Sequence, residues 1–471
     1  MFELHHLTAQ EQSEWLRRGD ISPEELATHY LDRIARLDPG LGAFTTVTRD
    51  AALDRARLVQ QTVPKAAPLW GIPLGDKDLW QRKGVRTTMG SRLFADLIPE
   101  VSDDIVEALD AAGAVSLGKT NAPEFGLAAY TESLVAPPAR TPWDTSRGAG
   151  GSSGGAAVAV SAGLLPVAPG SDGGGSIRIP AAATGLVGLK PSRGRVPTGS
   201  GFLSLGGLVT VGPLARTVAD AALLLDAMLG PSPWAVQPPT WDGGAYLNAA
   251  VRGEGRFQIG VMTTSPWDSA YEIAVSAEAQ SALEVALRGL DALGHGVEEL
   301  ALEPDETYGT AFRTLWQAGA SGIPAEGEQL DLLEPLTQWL VARGRELSAR
   351  QLADALQALT LFERSVIRQF ASFDVVLTPA LAMTPRPVGW FDAVDAEHNF
   401  AQQCQYTPWT SFVNVAGLPA ITLPVAETED GLPMGVQLIG RPGGEHTLLA
   451  IGAQLERRLL WQRRHPPVWT A

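Results

Sequence analysis

Residues 150–185 read GGSSGGAAVAVSAGLLPVAPGSDGGGSIRIPAAATG. A run this rich in Gly, Ser and Ala is either a flexible linker or backbone that must pass close to other backbone. The second reading holds, because Val158, Val160, Leu164, Leu165, Ile177 and Ile179 are interleaved with the small residues and need burial. Glycine used this way marks close approach and unusual φ angles. GGAAVAVSAG (154–163) reads as a helix, with Ser152 and Ser153 at its start. The positive end of such a helix favours a developing alkoxide and opposes a nearby ammonium.

Outward from this stretch the chain alternates helices with short apolar runs. Ser22-Pro23-Glu24-Glu25 is a capping box with proline at the first helical position, followed by Leu26, Tyr30, Leu31, Ile34 and Leu37 at helical spacing. A helix is predicted over 101–113, and another from Thr217 and Asp220 through Leu225. Segments 71–80, 114–118, 257–262, 373–381 and 419–426 read as strands, and 230–256, with its Pro, Gly and Trp, as a surface excursion. The alternation indicates an α/β fold.

The composition, 45% hydrophobic and 19% charged over 471 residues, is that of a globular protein. A net charge of −16 argues against nucleic acid or an anionic membrane as partner. A single cysteine, Cys404, rules out an internal disulfide and suits a reducing compartment, where it reads as a buried small hydrophobe. The first twenty residues carry no apolar signal-peptide core, and no run approaches about 18 apolar residues, so a cytoplasmic location is expected.

Two motif matches are set aside on context. Gly113, Gly118, Lys119 and Thr120 satisfy the G-x-x-x-x-G-K-[ST] phosphate-loop pattern. A phosphate loop follows a strand and opens a helix; here a helix precedes, Ala-Val-Ser-Leu reads as a strand, and Asn121-Ala122-Pro123 blocks a helix after Lys119. The candidate magnesium ligand Asp226 lies inside a helical pattern. Gly151–Gly155 fits G-x-S-x-G around Ser153, yet a nucleophile elbow should follow a hydrophobic strand. None of the seven histidines forms H-E-x-x-H, so a zinc hydrolase is not indicated.

A serine activated by lysine remains. Ser176 ends DGGGS, where Gly173, Gly174 and Gly175 offer unhindered N–H groups for an oxyanion hole. On a strand, Lys77 shares a face with Gly75 and Leu79 while Asp76 and Asp78 point the other way. Burial there would lower its pKa and leave an amine able to accept a proton.

GIPLGDKDLW (71–80), GGSSGGAAVAVSAG (150–163) and the glycine-rich run from Gly170 to Pro197 resemble the three blocks of the amidase signature family. Further similarity runs through 118–126, 212–228 and 414–442. The resemblance implies one amidase domain over 1–471, a twisted mixed β-sheet covered by helices on both faces, with 71–215 as catalytic core and 230–410 as a more variable, substrate-recognising part. It implies a triad of Lys77, Ser152 (held by a cis peptide) and Ser176 as nucleophile. It places oxyanion donors on Gly173, Gly174, Gly175 and Ser176, and structural support on Asp172 and Arg178. No metal or organic cofactor is implied. The substrate is expected to be a small amide, and a homodimer is a candidate assembly.

Within the family, SDGGGSIRIPA resembles 6-aminohexanoate-cyclic-dimer hydrolases and aryl-acylamidases, which act on secondary amides. Gly173 and Ile179 depart from the threonine and glutamine usual in the glutamyl-tRNA amidotransferase that shares this family, and its reading ranks third after a cyclic-dimer hydrolase and an aryl-acylamidase or general amidase. Thr141 and 134–140 also depart from the common pattern, near the expected cleft entrance. Substrate walls are expected from 120–146 and 310–410, with Phe312, Trp316, Trp390, Tyr406 and Trp409 as aromatic candidates.

Overall fold

The helix Pro23–Leu37 starts where its sequence directs. Ser22 Oγ accepts from the Glu25 amide and the Glu25 carboxylate accepts from the Ser22 amide, which satisfies two otherwise unpaired donors. Thr217 does the same for the helix Val218–Met228, accepting from the Asp220 amide. These elements belong to a computed structural model that describes residues 3–197, 204–229 and 245–470.

Eleven strands form two sheets: β1 (Phe44–Val47), β2 (Pro73–Lys77), β3 (Val115–Thr120), β4 (Val167–Asp172), β5 (Val187–Lys190), β6 (Thr210–Ala215), β7 (Gln258–Val261), β8 (Gly296–Glu299), β9 (Val375–Pro379), β10 (Ala420–Glu427) and β11 (Pro433–Gly440). The larger sheet has eight strands in the order β4-β6-β5-β10-β11-β9-β7-β8. Pairing is antiparallel from β4 to β9 and parallel from β9 through β7 to β8, so the sheet is mixed. The smaller has the order β1-β3-β2, with β2 parallel to β3.

Helices cover both faces of the large sheet, and the strands show it residue by residue. Val375, Leu377, Ile421, Leu423, Val436 and Leu438 enter one core together with the helices Val218–Met228, Ala277–Ala292 and Glu445–Leu459. Their neighbours Val376, Ala420 and Ile439 enter a second core under the helices Tyr308–Ala320 and Ala349–Phe370. Alternate residues of a strand point to opposite faces, so strands apolar at every position need both sides covered.

The helix Gly154–Ser161 is apolar all round and buried at every residue. Its first turn lies against backbone: a Cβ on Gly155 would stand 2.3 Å from the Asn121 nitrogen and 2.4 Å from the Ala43 oxygen. That close approach is why the stretch is built of small residues.

The surface reading of 230–256 holds only in part. Residues 230–244 lie outside those described, but Ala245–Arg252 is a helix that buries Tyr246 and Ala250. Asp226, from the neighbouring helix, accepts from the Tyr246 and Leu247 amides at 3.3 and 2.8 Å. Among the described residues no helix is long and apolar enough to cross a membrane.

Gly155→Ala should lower stability by about 1–3 kcal/mol in urea unfolding, because backbone would have to move. Gly319→Ala, on an exposed helical position with open space around it, should be neutral or slightly stabilising.

Candidate active site

Lys77 is the last residue of β2 and is fully buried. Its sequence neighbours are committed elsewhere. Asp76 takes the Arg82 guanidinium at 2.6 Å and the Ser116 hydroxyl at 2.7 Å, and Asp78 takes the Thr88 hydroxyl and amide. The Lys77 amine instead meets three hydroxyls: Ser152 Oγ at 2.8 Å, Ser153 Oγ at 2.9 Å and Ser171 Oγ at 3.0 Å. Burial pushes the amine down to about 7, and the charge of Asp172 acts against that shift. A group poised there exchanges a proton readily at neutral pH.

The Gly151–Ser152 peptide is cis. Ser153, at the start of the helix Gly154–Ser161, is fully buried; its hydroxyl takes the Lys77 N–H and donates to Ser171 O at 3.2 Å. Its amide donates to the carbonyl of Ser176 at 3.1 Å, which ties the Ser152 segment to the turn carrying Ser176. A hydroxyl enclosed in this way is not the exposed tip of a nucleophile elbow. The structure thus joins Lys77 to Ser152; among the hydrogen bonds of the described residues none links the Ser152 and Ser176 hydroxyls.

The turn between β4 and the helix Arg178–Thr184 is organised by Asp172. Its carboxylate accepts from the Gly175 amide at 2.7 Å, the Ile177 amide at 3.1 Å and the Arg178 fork at 2.8 and 3.0 Å. Burial alone would raise this carboxyl, but the Arg178 guanidinium, Lys190 and the amides hold it well below the usual carboxylate range. Asn414 and Gln437 complete the network on Arg178, at 2.6 and 2.7 Å. Thr410 Oγ1 donates to Gly174 O at 2.7 Å from the other side. Gly175 has φ +132°, and a Cβ there would stand 2.5 Å from Thr410 Oγ1. Only glycine fits.

One expected donor is redirected by this bracing. The Gly175 amide is used by Asp172, whereas the amides of Gly173, Gly174 and Ser176 donate to no protein group among the described residues. Asp172 and Arg178 have the bracing contacts expected of them.

Ser176 and Gly174 border an apolar cavity of about 60 Å³. Of the aromatic candidates, Phe312 and Trp316 line it. Trp390 and Tyr406 pack with Phe391 in a separate cluster, and Trp409 is fully buried in the second core. Trp267 and Phe400 also line the cavity and escape a sequence reading, since nothing in their local sequence marks them. Cys404 is buried at its wall, with its thiol pushed up by that burial. Thr141 is buried and donates to Ala183 O at 2.9 Å; neither it nor 134–140 lines the cavity. The lining holds no charged side chain and no histidine among the described residues.

The phosphate-loop match is a strand. Residues 115–120 are all buried, and Lys119 donates to Trp80 O and to Thr87 Oγ1. Its amine is turned into the protein rather than toward a ligand.

A buried amine on serine hydroxyls, beside a glycine turn with unused amides, is the equipment of a hydrolase that acts through serine. The sequence matches the Amidase family over residues 25–449, and the chain belongs to that family, hydrolases of carbon–nitrogen bonds other than peptide bonds. It is 38% identical to AmiB2 of Mycobacterium tuberculosis, an amidase by assignment, over 97% of each chain. It is 34% identical to the amidase-type chain of the glutamyl-tRNA(Gln) amidotransferase of Moorella thermoacetica over 100% of each. The structure of 6-aminohexanoate cyclic dimer hydrolase complexed with substrate superposes with a TM-score of 0.90 at 29% identity, covering 99% of this chain and 100% of that one.

Asp172→Asn would leave the Arg178 guanidinium buried without its carboxylate. Urea unfolding should show a loss of about 3–5 kcal/mol.

Proposed function

We propose that the chain is a serine amidohydrolase in which Ser176 forms an acyl-enzyme, Ser152 relays the proton and Lys77 is the base. What carries the reading is the Lys77 amine, fully buried and 2.8 Å from Ser152 Oγ. Neutral Lys77 takes the proton of Ser152, which takes that of Ser176 as Ser176 Oγ attacks the amide carbon. The Ser152–Ser176 hydrogen bond closes when substrate is bound, as catalytic hydrogen bonds commonly do. The oxyanion accepts from the amides of Gly173, Gly174 and Ser176. The relay returns the proton to the leaving nitrogen, the C–N bond breaks, and water attacks the ester to release the acid and restore Ser176.

The substrate is an uncharged secondary or cyclic amide, such as 6-aminohexanoate cyclic dimer, with acyl anilides as the alternative. The aromatic lining (Trp267, Phe312, Trp316, Phe400) supports this choice, as does the similarity to the cyclic dimer hydrolase. The amidotransferase reading has 34% identity in its favour. Against it, glutamine carries an α-ammonium and an α-carboxylate, and the lining supplies no charge to either. In this scheme 71–215 supplies the chemistry and 230–410 most of the wall, in a cytoplasmic setting that suits the lone Cys404.

Lys77→Met and Ser176→Ala should each lower kcat by at least about 10³-fold with the fold intact by circular dichroism. Lys77→Arg should not restore activity, because a guanidinium does not give up its proton. Lys77 works deprotonated, so kcat/KM should rise from acid pH and level off above about 7, where the amine titrates. A profile flat across that range would overturn the base assignment. In a panel of amides, glutamine should be hydrolysed at least about 100-fold less efficiently than the cyclic dimer or acyl anilides; a preference for glutamine would overturn the substrate class.

A further inference from the structure

Four of the seven histidines, His5, His6, His29 and His465, gather with Trp469, and none lines the cleft. His5 is 1% exposed. Its Nε2 lies 3.2 Å from Trp469 O, and since a carbonyl only accepts, that nitrogen carries the proton. Nδ1 is then a lone pair. It stands 3.2 Å from His29 Nε2 and 3.3 Å from the Glu3 carboxylate oxygen Oε2. A carboxylate facing an imidazole lone pair at that distance is repulsive unless a positive centre lies between them.

The spacing suits a metal ion. In a tetrahedral site with bonds of about 2.0–2.1 Å, neighbouring ligand atoms stand about 3.3 Å apart. The three donor atoms lie within 4.8 Å of one another. A ligating histidine characteristically donates its other ring N–H to a backbone carbonyl, as His5 does to Trp469. Glu3, 46% exposed, leaves a way in and room for water. The Arg33 guanidinium, 3.8 Å from Glu3, opposes a cation, but its other contacts direct it to the carbonyls of Gly163, Ala162 and Trp469. Asp32 and Arg36 act on His29 with opposite signs.

We propose that Glu3, His5 and His29 bind one divalent transition-metal ion through Oε2, Nδ1 and Nε2, with water completing the shell. Nitrogen and oxygen donors of this kind suit Zn²⁺ or Co²⁺. The ion clips the segment around Leu4–His6 to the helix Pro23–Leu37, so it stabilises the fold rather than taking part in amide hydrolysis.

The full-length protein, stripped with EDTA, is titrated with Zn²⁺ by calorimetry and with Co²⁺ by visible absorption. One equivalent should bind, Co²⁺ should show the intense bands of a low-coordinate site, and Zn²⁺ should raise Tm. His29→Ala and Glu3→Gln should each weaken binding at least about tenfold and abolish the Tm rise while keeping amidase activity. His398→Ala, an exposed histidine beside Asp392, should change nothing. Absence of stoichiometric binding, binding unchanged in His29→Ala, or loss of binding in His398→Ala would overturn the proposal. A proton alone on His5 would leave the protein blind to both metals.

Discussion

An amine sealed from water and given hydroxyls rather than a carboxylate sets the terms for the rest of this protein. Lysine rarely tolerates such a place, because its charged form loses hydration that nothing fully replaces. The site accepts Lys77 by shifting it toward the neutral form, with Ser152, Ser153 and Ser171 as its partners. Three elements must meet to build that enclosure: the end of β2, the end of β4 and the start of the helix Gly154–Ser161. Their meeting accounts for the small residues along 150–185, where any larger side chain would hold the backbones apart.

One residue beyond Ser171 the chain solves the opposite problem. Asp172 is equally buried and stays charged, because Arg178 and a ring of amides satisfy it. A neutral amine and a fully paired ion are thus placed side by side by environment alone. The ion pair shapes the turn that bears Ser176, and the turn in its shape leaves three amides without protein partners. Bracing and reactivity are divided between adjacent residues.

Much of this is legible in the amino-acid order alone. Periodicity and caps mark the helices from Pro23 and Val218, and apolar runs mark β2, β3, β7, β9 and β10. The resemblance in three blocks points to Lys77, Ser152 and Ser176, and the structure brings Lys77 and Ser152 into contact. The cleft wall is only half readable. Trp267 and Phe400 lie far from the blocks in sequence and reach the cavity through tertiary packing, while Trp409, of the same residue type as Trp267, is spent on the core. The Gly175 amide counts as a free donor in the sequence because residue types do not show which way an N–H turns. Lys119 carries the complementary lesson: a motif match complete in residue types is a buried strand, and the order of the surrounding elements already says so.

The central claim, that Ser176 is the nucleophile made reactive through Lys77, is tested most directly by a fluorophosphonate probe followed by peptide mass spectrometry. The account predicts covalent label on Ser176 in the unaltered protein and none in folded Lys77→Met. Label on Ser153 with Ser176 untouched, or undiminished label on Ser176 in Lys77→Met, would contradict it.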